Sequence, residues 1–282
     1  MAKIAVASER NVPQSRQLAS AYGCRAFEVV CDAGPMDKPY EEQHSETSIA
    51  VVVSGNFEYR CPTGCELMIP GSFLLGNRGD SFRCGHQHST GDRCVAFFYN
   101  PEFFERIAYD VGAPGTRFHV PRVPPIRAVA PVVARVIALQ THDPGVDSEE
   151  LGIQVAACAI RLARGVVRPR LAAGDPSSLA RVARVVRMIE NDSGTPHDLR
   201  GLAQLARLSP YHFLRTFEGL TGTTPHQYLL RMRLRAAAFR LRTESAKVLQ
   251  IALDCGFGDL SNFNRSFRAE FGMSPRLYRV RP

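Results

Sequence analysis

A repeat in the C-terminal third constrains this chain more than any other feature of its sequence. When the segment is compared with itself at an offset of 50, seven of the residues from 199 to 228 recur. The matched pairs are Leu199 and Leu249, Phe213 and Phe263, Arg215 and Arg265, Phe217 and Phe267, Gly222 and Gly272, Pro225 and Pro275, and Tyr228 and Tyr278. Self-similarity at a fixed spacing indicates that one supersecondary unit occurs twice.

Each copy has the pattern of two short helices joined by a tight turn. In the first copy, Ser209 is placed to cap the second helix, and Pro210 stands at its first position, where a missing N–H costs nothing. Phe213 and Phe217 follow at helical spacing and define an inward face. The second copy adds a continuous polar outward face, made by Ser261, Asn264, Arg265 and Arg268. This pattern is typical of a helix-turn-helix, whose second helix presents polar side chains to DNA.

The segment between the two copies predicts a long helix. Thr224 is placed as its N-cap, Pro225 opens it, and Gln227 completes the spacing of a capping box. A rigid helix here would hold the two units at a fixed separation. Both recognition helices would then enter major-groove segments about 34 Å apart on one face of DNA.

Charge is unevenly distributed along the chain. From Ser177 to the C terminus, 17 lysine and arginine residues stand against 8 acidic ones, whereas the first 176 residues carry 18 against 19. A basic C-terminal third joined to a near-neutral remainder is typical of a polyanion-binding module attached to another domain.

The stretch ALDCGFGDLSNFNRSFRAEFGMSPRLYR resembles the signature of AraC/XylS-type transcription regulators, and the resemblance covers about residues 178 to 281. Carried over position by position, it implies DNA contacts in both recognition helices, by Pro210, Tyr211, Leu214, Arg215, Leu260, Ser261, Asn264 and Arg265. Arg268 joins this set through the outward face described above. An arginine either pairs with guanine or neutralises phosphate, and the sequence leaves both open.

The N-terminal part alternates short apolar runs with turns, which favours a β-sandwich or a small barrel. Gly55-Asn56 is a hairpin signal. In proteins that resemble the AraC family this position is often held by a cupin-like β-barrel that senses a small ligand. The positions of the usual cupin metal ligands fall here on Glu42, His44, Ser48 and Phe82, so that metal site is degraded.

Helices are predicted at about 126 to 141 and 147 to 168, the second opened by Asp147. Their apolar stripes either pack on the barrel or form a dimer interface.

Taken together, these patterns and the resemblance predict an α+β chain with a cupin-like β-barrel, a helical connector, and an all-α domain of two helix-turn-helix units joined by a long helix. The expected boundaries are 1–120 for the sensor, 121–168 for the connector, 169–178 for a linker and 179–282 for the DNA-binding domain.

The stretch FRCGHQHSTGDRC concentrates soft ligand groups. If the segment is extended, residues 84, 86 and 88 share one face, and the turn that follows can place residue 94 opposite them. The four side chains are of the types that zinc or another soft divalent metal accepts. The stretch therefore predicts a metal site of Cys84, His86, His88 and Cys94. Structural thiols, the wall of an organic-ligand pocket, and a redox thiol of lowered pKa beside Arg93 are the alternatives. Cys31 has no histidine near it in sequence and is set apart from this group.

An enzymatic alternative uses four cysteines. Cys61, Cys65, Cys84 and Cys94 faintly resemble the zinc-held cysteine of DNA-repair proteins that accept methyl groups and carry an AraC-like DNA-binding region. No catalytic triad, phosphate loop or carboxylate pair stands out, so we expect a regulator and not an enzyme.

The ends and the apolar runs of the chain bear on its location. Neither end has a secretory pattern, and no apolar run reaches the 18 or more residues of a membrane span. We expect a cytoplasmic homodimer with reduced cysteines and no membrane partner. Its expected partners are double-stranded DNA, a small-molecule or metal effector and, if it activates transcription, RNA polymerase.

Overall fold

A computed structural model of the chain describes residues 13–86, 90–113, 115, 117–140, 147–165 and 176–280. The described part has a mixed architecture, with antiparallel sheets followed by helices, which confirms the predicted α+β class. No helix in these ranges combines the length and the apolar character that crossing a membrane requires.

Ten strands in the described ranges form the β domain. They are β1 (Gln14–Ala21), β2 (Cys24–Cys31), β3 (Glu41–Gln43), β4 (Thr47–Gly55), β5 (Phe57–Cys61), β6 (Gly64–Met68), β7 (Phe73–Gly76), β8 (Ser81–Gly85), β9 (Asp92–Tyr99) and β10 (Arg122–Val123). One sheet has the order β1-β2-β9-β4-β7-β10, and the other has the order β3-β8-β5-β6. All recorded strand pairs are antiparallel.

The two sheets enclose a core that draws residues from both. Its buried members are Val52, Phe57, Tyr59, Met68, Leu74 and Cys94. Successive residues of a strand point to opposite faces, so the six-stranded sheet has a second apolar face on its outer side. That outer face packs against helices.

The prediction of a hairpin at Gly55-Asn56 is wrong. Strand β4 pairs with β7 and β9, whereas β5 pairs with β6 and β8, so this turn carries the chain from one sheet to the other. Gly55 has a positive φ of 76°, and a Cβ there would clash with the carbonyl oxygen of Gly91. The local turn signal of a hairpin and of such a crossover is the same, because both need a residue that tolerates positive φ.

Three helices cover the outer face of the six-stranded sheet: α1 (Pro101–Asp110), α2 (Ala130–Gln140) and α3 (Ser148–Gly165). As predicted, Asp147 caps α3 by accepting a 2.9 Å hydrogen bond from the backbone N–H of Glu150. Val136 and Leu151 are completely buried in the core beneath the helices. Most of the predicted linker, residues 169–175, lies outside the described residues.

Seven helices of the described chain form the C-terminal domain. They are α4 (Pro176–Asn191), α5 (Leu199–Ala206), α6 (Pro210–Thr221), α7 (Pro225–Thr243), α8 (Val248–Asp254), α9 (Leu260–Phe271) and α10 (Pro275–Val280). The first core of this domain contains Phe213 and Phe217, and the second contains Phe263 and Phe267. The predicted capping box of α7 is present between Thr224 and Gln227.

The β domain and the C-terminal domain share buried surface. Leu67 and Ile69 of the β domain belong to the first C-terminal core, and Ala130 and Ala134 of α2 belong to the second. These apolar contacts place both helix-turn-helix units directly against the N-terminal part of the chain.

His44 stands at one of the positions that the expected resemblance to cupins assigns to metal ligands. His44 Nε2 lies 2.8 Å from the hydroxyl of Tyr59, its Nδ1 lies 3.2 Å from the hydroxyl of Ser48, and its ring stacks on Phe82 at 4.2 Å. Burial lowers the pKa of His44 to about 4. The ring is thus neutral and has both nitrogens engaged by protein hydroxyls.

This buried histidine predicts a loss of stability in mild acid. The folded-state pKa lies below the unfolded value of about 6.5, so the unfolded chain takes up the proton first. The contribution of His44 to the free energy of unfolding is fully present above pH 6.5. It falls by about 1.4 kcal/mol per pH unit as the pH is lowered toward 4. Urea unfolding of the wild type and of His44→Gln at several pH values checks this: the difference between their unfolding free energies should shrink as the pH falls. A difference that is constant with pH would contradict it.

Candidate nucleic-acid interface and metal centre

The two recognition helices, α6 and α9, are built in the same way. The Ser209 side chain accepts from the N–H of His212 at 3.4 Å, and the Asp259 side chain accepts from the N–H of Asn262 at 2.7 Å. Both helices end at a glycine with φ of 75°, Gly222 and Gly272, where other residues would be strained. The repeat in sequence thus corresponds to a repeat in helix length and termination.

The outer face of α6 carries the residues predicted to meet DNA. Pro210, Tyr211 and Arg215 are exposed, and Leu214 is half-buried. The Arg215 guanidinium lies 5.9 Å from the centroid of the Tyr211 ring, and its Nη1 lies 3.5 Å from the Tyr211 hydroxyl. This cation–π contact holds the arginine along the exposed side of the helix.

The outer face of α9 is more polar. Ser261, Asn264, Arg265 and Arg268 are all exposed, and Leu260 at the helix entrance is half-buried. On the opposite side Phe263 and Phe267 are fully buried. Side chains that donate to base edges or phosphates are therefore presented outward on both recognition helices.

Helix α7 fixes the two units relative to each other through Arg233. The Arg233 guanidinium donates to the carbonyl oxygens of Ser193 at 2.7 Å and Thr195 at 2.9 Å, in the loop before the first unit. It also donates to the carbonyl of Gly256 at 2.9 Å, in the turn of the second unit. The sequence predicts a rigid linking helix, but it gives no sign of this three-way contact, because the acceptors are backbone carbonyls.

A second group of functional side chains lies at the end of the β domain. One ligand atom from each of Cys31, His86 and Asp92 lies within 4.8 Å of the other two. His86 Nε2 is 2.6 Å from Asp92 Oδ1, and the Cys94 thiol donates to Asp92 Oδ2 at 3.2 Å. The group combines thiol, imidazole and carboxylate ligands, which is a set that zinc accepts.

This group overlaps only in part with the four residues predicted as a metal site. His86 belongs to it, whereas Cys84 and Cys94 contribute to the core between the sheets. His88 lies outside the described residues. Sequence reasoning missed Cys31, because only the pairing of β2 with β9 brings it opposite Asp92.

The electrostatics of the buried groups differ from those predicted for a redox thiol. Burial raises the pKa of the Cys84 and Cys94 thiols well above the ordinary value, and the nearby Asp92 carboxylate adds to the effect. The expectation of a lowered thiol pKa is therefore wrong for these two cysteines. Burial alone would lower the pKa of His86, but hydrogen bonds to Asp92 and Cys31 together raise it to about 9.

The cysteines of the methyl-acceptor hypothesis are not gathered into one site. Cys61 and Cys65 flank the β5–β6 turn, where Cys61 Sγ lies 3.0 Å from the Thr63 hydroxyl. The group of possible metal ligands found among the described residues contains neither of them.

Comparisons with known proteins identify the type of the C-terminal domain. A family model described as a helix-turn-helix domain matches residues 202–281, which include both recognition helices. The chain is 40% identical over 87 residues to the HTH-type transcriptional regulator Rv1931c of Mycobacterium tuberculosis, an alignment that covers 31% of this chain and 34% of that protein. It is 36% identical over 106 residues to the transcriptional activator RhaS of Escherichia fergusonii, covering 38% of each. It is 34% identical over 135 residues to the XylDLEGF operon transcriptional activator of Pseudomonas putida, covering 47% of this chain and 41% of that protein.

The C-terminal domain of the chain is of the AraC/XylS type. The matched segments span about two fifths or less of these relatives. The assignment thus comes from the part of the chain that holds the repeat, and the Cys31, His86 and Asp92 group lies outside the matched family model.

The burial of the thiols predicts the order in which they are modified in the native protein. Cys94 is 6% exposed and Cys24 is 5% exposed, and burial raises the pKa of Cys24 to about 12. Cys61 is half-buried beside a turn. In the native protein iodoacetamide should modify Cys24 and Cys94 more slowly than Cys61, by roughly tenfold or more, because only thiolate reacts.

Timed alkylation at neutral pH, followed by peptide mass spectrometry, measures this order. Urea-unfolded protein is the control, in which the rates should converge. If Cys94 reacted as fast as Cys61 in the native protein, the assignment of Cys94 to a closed interior would be wrong.

Proposed function

We propose that this chain is a sequence-specific DNA-binding transcription regulator whose DNA binding or activation is controlled by an effector at the N-terminal domain. The observation that carries the proposal is the pair of matched recognition helices, each with an exposed polar face and a buried pair of phenylalanines. Its relatives are named as transcriptional regulators and activators, which supports the same conclusion.

Both recognition helices enter the major groove in this proposal. The contacts come from Tyr211, Leu214 and Arg215 in the first helix and from Ser261, Asn264, Arg265 and Arg268 in the second, with Pro210 and Leu260 at the two entrances. Arg215, Arg265 and Arg268 make no recorded ion pair with a carboxylate among the described residues, so their charge is available to a polyanion. The basic balance of the domain supplies the nonspecific part of the attraction.

The shared surface between the domains supports control by an effector. An effector that binds one arrangement of the β domain and connector better than another shifts the population toward it. The presentation of the two recognition helices changes with that population, because Leu67, Ile69 and α2 pack directly into the cores of the two units. We propose a homodimer formed through the connector helices, and contact with RNA polymerase if the protein activates transcription.

The proposal predicts that Arg265 discriminates between DNA sequences. The full chain first selects its operator from a pool of random duplexes. The variant Arg265→Ala should then lose about 1 to 3 kcal/mol of operator affinity, roughly 5- to 150-fold in Kd, if the guanidinium reads a base. Affinity for a scrambled duplex should change much less, because a base contact is specific to its sequence.

A matched variant separates this effect from a simple loss of charge. Arg184 is an exposed arginine on α4, outside both helix-turn-helix units. Arg184→Ala should bind the operator within about twofold of the wild type, since one distant surface charge has a small screened effect. Equal losses in both variants, or unchanged operator affinity in Arg265→Ala, would refute the assignment. Failure of the full chain to enrich any sequence would refute the proposed function.

A further inference from the structure

We propose that Cys31, His86 and Asp92 bind a thiophilic divalent cation, for which Zn²⁺ has the best-matched chemistry, and that this cation is the effector. The second half of this inference rests on the proposed function. The first half, the metal site itself, rests only on the residues of the β domain.

The strand register brings two of the three ligands together. Cys31 of β2 and Asp92 of β9 are direct cross-strand partners, so their side chains leave the sheet on the same face. His86 follows directly after β8 of the opposite sheet and reaches Asp92 across the end of the interior. The site is therefore assembled from both sheets. Cys31 ends β2, Asp92 begins β9, and His86 directly follows β8.

The ligand types select the metal. A thiolate and an imidazole are poor ligands for Mg²⁺ and Ca²⁺, which prefer oxygen, and are good ligands for zinc and its soft neighbours. The His86 side chain is 3% exposed and that of Asp92 is 8% exposed, so the polar groups are already removed from bulk water. Binding requires Cys31 as thiolate and neutral His86, so the cation replaces protons on these groups, which pass to solvent.

Neighbouring groups support the coordinating residues. The Cys94 thiol donates to Asp92 Oδ2 at 3.2 Å and orients the carboxylate. Such a hydrogen bond to a ligating carboxylate is the usual outer support of metal sites. Asp92 Oδ1 meanwhile faces His86 at 2.6 Å, and a cation bound between them would replace this hydrogen bond.

The site lies next to a contact with the C-terminal domain. Asp92 is paired on its other side with Gly55 of β4, so that Cys31, Asp92 and Gly55 form one row across three strands. The Gly55 N–H donates a 2.7 Å hydrogen bond to the carboxylate of Glu190 on α4. A Cβ on Gly55 would come within 2.7 Å of the Asp92 Cα, which shows how closely this row is packed. A change in the backbone at Asp92 on metal binding therefore reaches Glu190 through one residue.

Metal binding is tested with the full-length chain after treatment with a chelator and gel filtration. Titration with Zn²⁺ should give one tightly held ion per chain by elemental analysis. Titration with Co²⁺ should give the visible bands of a tetrahedral site and a thiolate-to-cobalt charge-transfer band in the near ultraviolet. Cys31→Ser should lose that charge-transfer band and weaken Zn²⁺ binding tenfold or more, as should the isosteric variant Asp92→Asn.

Cys158→Ser serves as the matched control, because this half-buried thiol lies on α3 and belongs to no metal-capable group among the described residues. It should bind both ions as the wild type does. Circular dichroism shows which variants are folded, and Asp92→Asn provides the test if Cys31→Ser does not fold. The site is refuted if the wild type retains no ion, or if folded Cys31→Ser or Asp92→Asn binds as tightly as the wild type.

The effector role is tested on the selected operator with and without Zn²⁺. Zn²⁺ should change the operator Kd of the wild type at least fivefold and that of Cys31→Ser by less than twofold. Glu190→Ala should bind Zn²⁺ with wild-type affinity but show a smaller change in operator Kd, because the hydrogen bond to Gly55 is removed.

The outcomes separate the two proposals. Operator binding without any retained ion would refute the metal site and leave the proposed function standing. A retained ion in a chain that selects no operator would refute the proposed function and leave the site standing. A retained ion that leaves operator affinity unchanged would refute the effector role.

Discussion

The shared helix α7 is the constraint on which the C-terminal domain depends. Its first half places Tyr228 and Leu229 in the core of the first unit, and its second half places Leu234 and Leu241 in the core of the second. The separation of the two recognition helices is thus set by one continuous α-helix of 19 residues, which is about 28 Å long. Arg233 adds three hydrogen bonds to carbonyls on both sides of the helix. Without this helix the two units would lose their fixed separation.

The same helix also faces the β domain, so the position of the recognition helices is tied to the N-terminal part of the chain. Arg235 is 8% exposed and donates to the carbonyl of Pro70 at 2.9 Å. Gly71 has a φ of 86°, and a Cβ there would clash with the Arg235 guanidinium, so the loop and the helix are in closest contact at this point. Contacts of this kind favour a few discrete arrangements over a continuous range, because packed interiors deform little. An interface with few arrangements is the physical requirement for a switch.

Much of the C-terminal domain was predictable from sequence, because its determinants are local. The caps at Ser209 and Thr224 and the phenylalanine pairs lie within a few residues of the helices that they define. The β domain was predictable only as a class. The crossing at Gly55 and the position of Cys31 depend on which strands pair, and pairing is decided by contacts between residues far apart in the chain. For the same reason the sequence placed His86 in a candidate metal site but did not identify Cys31 and Asp92 as its partners.

The hydrogen bond between His86 and Asp92 bears on whether a cation at this site would be structural or sensed. A structural zinc site normally lacks an alternative set of partners for its ligands, and the apo protein unfolds. Here the ligands already satisfy one another, through the 2.6 Å contact of His86 with Asp92 and the donation from Cys94. A cation that binds here replaces these hydrogen bonds, so the three side chains have two alternative sets of partners. Two folded states that differ at Asp92 are what a sensor needs, because a ligand shifts an equilibrium only by the difference in its affinity for the two states. A coupling of about 1 to 3 kcal/mol between the metal and DNA sites would suffice for a 5- to 150-fold response. Cys31, Asp92 and Gly55 are neighbours across three strands, and Gly55 is hydrogen-bonded to Glu190. A structural change at Asp92 therefore has a short path to α4.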